Sequence, residues 1–527
     1  MDATTATTSL ETFVQTMTER MARLARSLGA WVQEEPRTLQ QQEELLLGHL
    51  HELGTTLLTG LLALAVTAPD ATVTCPCGAT ASFRRLRPAT VTTLLGRLTY
   101  TRATYSCATC HHGHAPLDQH LQVAAGSFSL GLQEVLALLG ATQDSFAEAA
   151  TVLARLCLVQ VCPNSTRAAT EELGTRLLQH TQEAVQQAQA QGSFPPPEAG
   201  VPPQLYISMD GVLVQCRTSG WREIKAGCVY TTRSLRARRA PHQRVLRMEQ
   251  PSYSASLAEA APFGWQLGLE AARRGVGAAQ EVIVIGDGAH WIWKLAEEQF
   301  PGATQIVDWY HASQYVWQAA SALHGEGTTA RETWAKQHLD ALWEGRLEDV
   351  LTALQPHAGD AGAVDAALSY YQTHGERMDY PSYRARGLQV GSGTIESTCK
   401  HLISARLKQA GMQWSETGAE AVSTVRAWLK SGRWSAAMAL RRLPQRCYRR
   451  RVQEQTGDEL KGQEQEARVT PEAASTAKAV SREVIAQVQA ELAQEQASHS
   501  WRKPWSIRQQ RRQAEARLAD ASSTSAA

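Results

Sequence analysis

The chain of 527 residues has almost no net charge, with 52 lysines and arginines against 51 aspartates and glutamates. A balance this even exerts no global pull on polyanions, so any affinity for nucleic acid must come from local patches. A long apolar run is also missing. The most apolar stretch, LLTGLLALAV at 57–66, is too short to cross a bilayer and reads as a buried helix. The opening residues, MDATTATTSLETF, have neither a basic n-region nor an apolar h-region, so no signal peptide is expected. These absences predict a cytoplasmic protein with no membrane partner. In that compartment ten cysteines are thiols or metal ligands rather than disulfides.

What is present is globular, 43% hydrophobic and 20% charged, and long enough for two to four domains. Apolar residues at three- and four-residue steps predict helices over 7–66, a packed hairpin in an N-terminal region 1–68. Short β-branched stretches and four cysteines mark 69–125. Helical pattern returns over 126–191. GSFPPPEAGVPP at 192–203 is a proline-glycine linker. Beyond it strands and helices alternate through 204–440, with helix expected at 254–274 and a strand-free helical insertion at about 320–385. The remainder, 441–527, is rich in Arg, Gln and Glu and reads as extended helix or partly disordered tail.

Three acids stand out. Asp210 ends the apolar run LYISMD, Asp287 ends EVIVIGD, and Glu396 follows a glycine-serine turn in VGSGTIESTCK. The aspartates are expected at the carboxyl ends of buried strands and the glutamate on the first turn of a helix. Glycine after each aspartate lets backbone or substrate approach closely. Converging carboxylates of this kind can hold two divalent cations, Mg²⁺ or Mn²⁺. Asp308 and His311 in VDWYHA extend the set, His311 being able to orient a phosphate or a water. Arg384, Arg386, Lys400, Arg406 and Lys408 bracket Glu396 as candidate phosphate contacts, each equally readable as a solvated face. Trp291, Trp293, Trp309 and Trp317 read mostly as core.

Three further segments carry candidate binding chemistry. Cys75-Pro-Cys77 and Cys107-Ala-Thr-Cys110 are two thiol pairs suited to tetrahedral zinc, although the first has a single intervening residue. His111, His112 and His114 can replace a weak ligand. The stretch from Ser145 to Gln179 reads as helix, turn, helix. Ser145 caps the first helix with Glu148 in the capping-box position, and Asn164 or Ser165 caps the second. Thr166, Arg167, Thr170 and Arg176 occupy polar positions of that second helix, as a major-groove reader requires; any helical hairpin shares this pattern. TTRSLRARRAPHQRVLRM at 231–248 carries six arginines, Arg236, Arg238 and Arg239 among them, and no acid, which suits a DNA backbone.

These motifs, CPCG…CATCHHGHAPLD, SMDGV…GWREIKAGCVY, VIGDGAHWIW, QIVDWYHA and GSGTIESTCKHLISARLKQAGMQWS, resemble the DDE transposases of bacterial insertion sequences, most closely the ISKra-type group. The resemblance runs from about residue 70 to 440, and HSWRKPW in the tail adds to it. It implies an α/β RNase H-like catalytic domain with an all-helical insertion, preceded by helical, zinc-ribbon-like and helix-turn-helix regions. It implies Asp210, Asp287 and Glu396 as the metal-binding triad, and an aspartate-histidine pair, Asp308 and His311, similar to that of Mutator-like transposases. The implied partners are terminal inverted repeats, target DNA and further copies of the chain on DNA. A catalytically silent DNA-binding regulator and an RNase H-like nuclease are the alternatives; a two-carboxylate glycosidase would not need the arginine run.

Overall fold

The computed structural model describes residues 10–64, 69–124, 126–198, 200–236, 244–391, 393–440 and 448–449. Two helices open the chain, α1 (Leu10–Glu34) and α2 (Leu39–Leu64), where the apolar periodicity predicts them. No helix among the described residues is long and apolar enough to cross a membrane.

A first sheet follows, built on the long hairpin of β2 (Thr80–Thr93) and β3 (Gly96–Cys107), with β1 (Thr72–Thr74) on one side and β4 (His112–His114) on the other. A short helix, α3 (Pro116–His120), and β5 (Ser127–Phe128), which pairs with β2, close this region. Leu58 and Leu62 of α2 pack on Ala89, Val91, Leu98 and Tyr100 of the hairpin, so α2 covers one of its faces.

Three helices come next: α4 (Leu130–Thr142), α5 (Phe146–Cys157) and α6 (Pro163–Gln191). Ser145 caps α5 by accepting the Glu148 amide at 3.0 Å, and the Glu148 carboxylate takes the Asp144 amide at 3.3 Å. The second cap differs from expectation. Helix α6 begins at Pro163 with Cys162 in the cap position, because proline brings a preset φ and no amide to satisfy; Asn164 and Ser165 lie inside the helix. Thr166 and Thr170 are also not on a polar face. Both are fully buried, and Thr170 sits against Gly140 of α4.

The second sheet carries the largest core. Its strands are β6 (Gln204–Cys216), β7 (Gly220–Arg236), β8 (Arg244–Ser256), β9 (Glu281–Gly286) and β10 (Thr304–Val307), in the order β10-β9-β6-β7-β8. The first three form an antiparallel meander, and β9 and β10 run parallel to β6. Leu205, Tyr206, Ile207, Ile283, Val284, Ile285, Ile306 and Val307 are fully buried, as strands covered on both faces require. The helix expected at 254–274 starts later, as α7 (Ala260–Arg273), since β8 continues to Ser256. Helix α8 (His290–Gln299) links β9 to β10.

After β10 the chain is helical through α9 (Trp309–His324), α10 (Thr329–Trp343), α11 (Leu347–Leu354), α12 (Gly362–His374) and α13 (Tyr380–Ala385). Helix α14 (Gly393–Thr398) passes through a π-helical turn at Cys399–Ser404 into α15 (Ala405–Leu407), followed by α16 (Glu416–Lys430) and α17 (Trp434–Ala439). A two-residue strand, Tyr448–Arg449, pairs with β4. The expected tail otherwise lies outside the described residues.

Two buried arginines join this helical end to α4. Arg406 donates to the carbonyls of Gly140 and Asp144 at 2.9 and 3.3 Å and lies over the rings of Phe146 and Trp414. Arg426 donates to the carbonyls of Ala141, Leu402 and His401. Burial brings both guanidinium groups down to about 10, yet they stay charged at neutral pH and face the negative end of α4. Arg406 is therefore a packing residue and not a phosphate contact. Replacing Arg426 with methionine leaves three buried carbonyls without charged donors, at about 1 kcal/mol each. The expected loss of about 3 kcal/mol would appear as a lower denaturant midpoint of the full chain; an unchanged midpoint would contradict this account.

Candidate active site and cysteine knuckle

The sheet register brings the aspartates together. Gln204 of β6 lies opposite Glu281 of β9, and Asp210 and Asp287 have the same offset (287 − 210 = 281 − 204). Two residues past the last pair, Ser208 and Ile285, β9 has ended at Gly286 and Asp287 leaves the sheet level with Asp210. Asp210 itself does not end its strand as expected: β6 runs on to Cys216 because β7 continues to pair with it, Asp210 opposite Ala226. Val307 of β10 pairs with Gly286, so Asp308 leaves the sheet at that level too. Adjacent strands are about 4.8 Å apart, and the electrostatics reflect the crowding. Burial pushes the Asp210 carboxyl up, the Gly211 amide opposes this, and the Asp287 carboxylate adds to it.

Helix α14 covers the same face. On β7, Gly227 faces Leu267 and Phe263 of α7, while the next residue, Cys228, meets Thr398 of α14. Successive residues of a strand alternate faces, so α7 and α14 lie on opposite sides. Asp210 pairs with Ala226, which shares the Cys228 side. The contact is direct: the Cys399 thiol donates to Asp210 Oδ2 at 3.5 Å, and the Gly211 amide donates to Oδ1 at 2.6 Å. Glu396 stands one turn before Cys399, at the i, i+3 spacing that shares a helix face. The entry to α14 is held by the Trp309 amide, which donates to the Val390 carbonyl at 2.9 Å.

Glu396 is exposed, and the trio does not close into one ligand set. Among the described residues, the group whose ligand atoms all lie within 4.8 Å of one another is the four cysteines.

Asp308 is fully buried and does two tasks. Its Oδ2 caps α9 by accepting the His311 amide at 3.0 Å, and it accepts the His311 ring at Nδ1 at 2.8 Å. This hydrogen bond raises the imidazole pKa; burial opposes it, and the charges of Asp308, Asp287 and Asp210 add to it. A raised folded-state value means that the fold stabilises the protonated ring. That contribution is complete below the ordinary value of 6.5 and is lost as pH rises through the higher one. In metal-free protein the His311 ring is expected to titrate above 6.5, and Asp308→Asn to bring it down. Histidine NMR titration measures both, and a native midpoint at or below 6.5 would refute the assignment.

A cleft of about 320 Å³ opens beside these groups, lined by Asp287, Gly288, His311, Gln314, Tyr315 and Tyr370. Asp287 turns Oδ1 back to the Ala289 amide at 2.9 Å, and Tyr370 donates its hydroxyl to the Asp287 carbonyl at 2.7 Å. Gly288 has φ +110°, and a Cβ there would sit 2.6 Å from the Tyr370 ring, so this position requires glycine. Cys399 and Tyr370 are site residues that the sequence reading missed. The helical spacing from Glu396 points to Cys399; nothing in the local sequence points to Tyr370.

Most basic candidates are engaged elsewhere. Arg384 stacks on Trp343 and donates to its carbonyl at 2.9 Å, and Arg386 pairs with Glu281. Neither stands ready for a phosphate, because each neutralises or caps a group in its own fold. Lys408 is exposed and its Nζ lies 6.0 Å from the Trp221 ring. Lys400 is exposed one residue after Cys399. Arg167 is partly exposed beside Glu171 at 4.0 Å, and Arg176 pairs with Glu172. Arg236 is exposed at the end of β7, and Arg233 pairs with Glu249 at 2.6 Å across the β7–β8 ribbon. Arg238 and Arg239 lie outside the described residues. The four tryptophans pack: Trp293 is buried, Trp291 meets Phe263, Trp309 meets Trp343 and Tyr380, and Trp317 lies under Arg331.

The cysteine quartet closes despite its short first knuckle. Cys75 and Cys110 approach to 3.5 Å between sulfurs, Cys77 and Cys107 to 3.7 Å. Tetrahedral zinc with Zn–S bonds near 2.3 Å needs sulfurs about 3.8 Å apart, so the four thiols are compatible with that ion. The turn works because Gly78, at φ +88°, lets its amide reach the Cys75 carbonyl at 2.8 Å. On the other side the Cys110 amide lowers the Cys107 thiol to about 6 against the effect of burial, with the Thr109 amide adding to it, while the Cys75 and Cys110 thiols that share the cluster move up. The neighbouring histidines are not needed: His112 and His114 belong to β4, and the His114 ring stacks on Tyr105.

No curated protein matches this sequence. Residues 273–442 match the model of an uncharacterised protein family, UPF0236, a stretch that contains Asp287, His311 and Glu396 and excludes Asp210 and the cysteine knuckle.

Proposed function

We propose that this protein is a DNA transposase of the DDE type, similar to the ISKra-type group, which cleaves insertion-sequence ends and joins them to target DNA. The observation that carries the proposal is the register that sets Asp210, within β6, level with Asp287 at the end of the parallel neighbour β9, with the Asp287 charge felt at Asp210. An antiparallel meander continued by two parallel strands, with helices on both faces, supports an RNase H-like reading of the catalytic domain. The helical stretch before Glu396 fits the insertion expected of such a domain.

Asp210 and Asp287 would hold divalent cations with Glu396 as the third ligand. Two Mg²⁺ or Mn²⁺ ions bound there supply an activated water or 3′-hydroxyl and stabilise the leaving oxygen. His311, fixed through Nδ1, has Nε2 left for a phosphate or the incoming nucleophile. Zinc held by the cysteine knuckle would be structural, since four protein ligands leave no open position.

Phosphate contact falls to the arginine ribbon at the end of β7 and β8 and to Lys408. Arg236→Ala is expected to weaken binding to any duplex and to reduce the slope of log affinity against log salt by about one. Fluorescence anisotropy over a salt series measures this; an unchanged slope removes Arg236 from the interface. The activity itself is tested by incubating the protein with labelled terminal repeats, Mg²⁺ and a target plasmid. Joined products are expected. Cleavage without joining would favour a nuclease, and binding without cleavage a regulator.

A further inference from the structure

We propose that α1 and α2 are the dimer interface of this protein, two hairpins from two copies closing a four-helix bundle without DNA. The sequence of α1 repeats apolar residues at alternating four- and three-residue steps: Leu10, Val14, Met17, Met21, Leu24 and Leu28. Helix α2 does the same through Leu46, Leu50, Leu53 and Leu57. A heptad seam of this kind is the code for helix association. Positions flanking the α1 seam hold Phe13, Ala25 and Val32, so the apolar stripe is wider than two helices need and suits a bundle.

The hairpin alone leaves most of this stripe uncovered. Within it the Phe13 ring packs on Gly60, and Met17 and Leu53 are buried. Leu58 and Leu62 of α2 are occupied by the β2–β3 hairpin. Ten of the seventeen large apolar side chains that stand exposed among the described residues nevertheless lie on these two helices, at 37–70% exposure. Side chains half exposed present roughly 90 Å² each, so the ten offer about 900 Å² per copy, against about 800 Å² per partner in a stable interface. Scattered exposed leucines need no explanation, but a contiguous patch above a few hundred Å² does. The occupant follows from the repeat. A seam of leucines in heptad register is complementary to itself, and a two-fold axis uses one patch twice. This inference does not depend on the catalytic reading.

The test uses the full chain without DNA. Sedimentation velocity at micromolar concentration is expected to give twice the chain mass of 57.6 kDa. The combined variant Leu46→Glu, Leu50→Glu, Leu57→Glu is expected to raise the dimer dissociation constant about a hundredfold or more and to sediment as a monomer with an unchanged near-ultraviolet circular dichroism spectrum. Leu46→Met, Leu50→Met, Leu57→Met controls for general damage and is expected to remain dimeric. A monomeric native protein, or a glutamate variant that stays dimeric, overturns the proposal. So does cross-linking that joins α2 to residues 441–527 of its own chain rather than to α1 or α2 of a second copy.

Discussion

Replacing Asp287 with alanine is expected to reduce Mg²⁺-dependent cleavage of terminal-repeat DNA by about a thousandfold, the equivalent of several kcal/mol of lost charge stabilisation. DNA affinity should hardly change, because Asp287 repels phosphate until a cation is bound. The substitution also removes part of what raises the Asp210 pKa, so Asp210 should become more acidic even as activity disappears. The carboxyl resonance of Asp210 in the native and variant proteins reports this directly. Two further outcomes are informative. Asp210→Asn should match Asp287→Ala in activity, since in the proposed mechanism the pair would share its cations. Glu396→Gln should cost activity without moving the Asp210 titration. Cleavage that survives Asp287→Ala would remove the two-aspartate centre from consideration.

Exchanging Cys107 for serine is expected to have the largest effect on folding. Cys107 closes β3 and is buried beside Cys75, Ala81 and Tyr105, a cluster too small to be stable by apolar burial alone. A structural zinc site in a small module supplies on the order of 10 kcal/mol of apparent binding energy, so its loss should unfold the knuckle end of the first sheet, while the end of the β2–β3 hairpin that packs on α2 and the second sheet persist. Metal analysis of the native protein is expected to give one zinc per chain. Hydrogen exchange should show protection of residues 72–83 and 104–114 lost in the variant and on chelation, with residues 204–216 unaffected. A native protein with no bound zinc, or a variant equally protected in both regions, would refute the assignment.

Some of this architecture was legible from residues alone. LYISMD and EVIVIGD announce buried strands because short apolar runs of that length have few other uses, and their spacing of 77 positions turns out to be the register offset itself. The Asp-Gly pair marks a strand end only at Asp287; at Asp210 the strand runs on to Cys216, held by pairing with β7. The side chains that face inward from polar sequence were not legible. Arg406 and Arg426 look like basic surface residues, since what buries them is the carboxyl end of α4, 266 and 285 positions away. Thr166 and Thr170 misled for a related reason. A threonine hydroxyl can return its hydrogen bond to its own helix, as Thr170 does to the Thr166 carbonyl at 2.8 Å, with the Leu136 carbonyl of α4 also at 3.5 Å, and so can be buried; the Thr166 hydroxyl is buried with no hydrogen-bond partner, which its sequence setting does not foretell. Nothing beside Cys399 in the sequence marks it, because its partner, Asp210, lies 189 positions away.

The contact between Gly174 of α6 and the Ala421 backbone of α16 bears on how this protein can be divided. The proline-glycine stretch at 192–203 interrupts the sequence, but α6 crosses it in space and lies flush against the last long helix. A fragment starting at residue 204 would expose the α16 face that α6 covers, and would strip Arg406 and Arg426 of their α4 acceptors. Separable pieces are therefore to be sought upstream of α4. Exchanging recognition regions between related chains should succeed with a junction between β5 and α4 and fail with one placed in the linker.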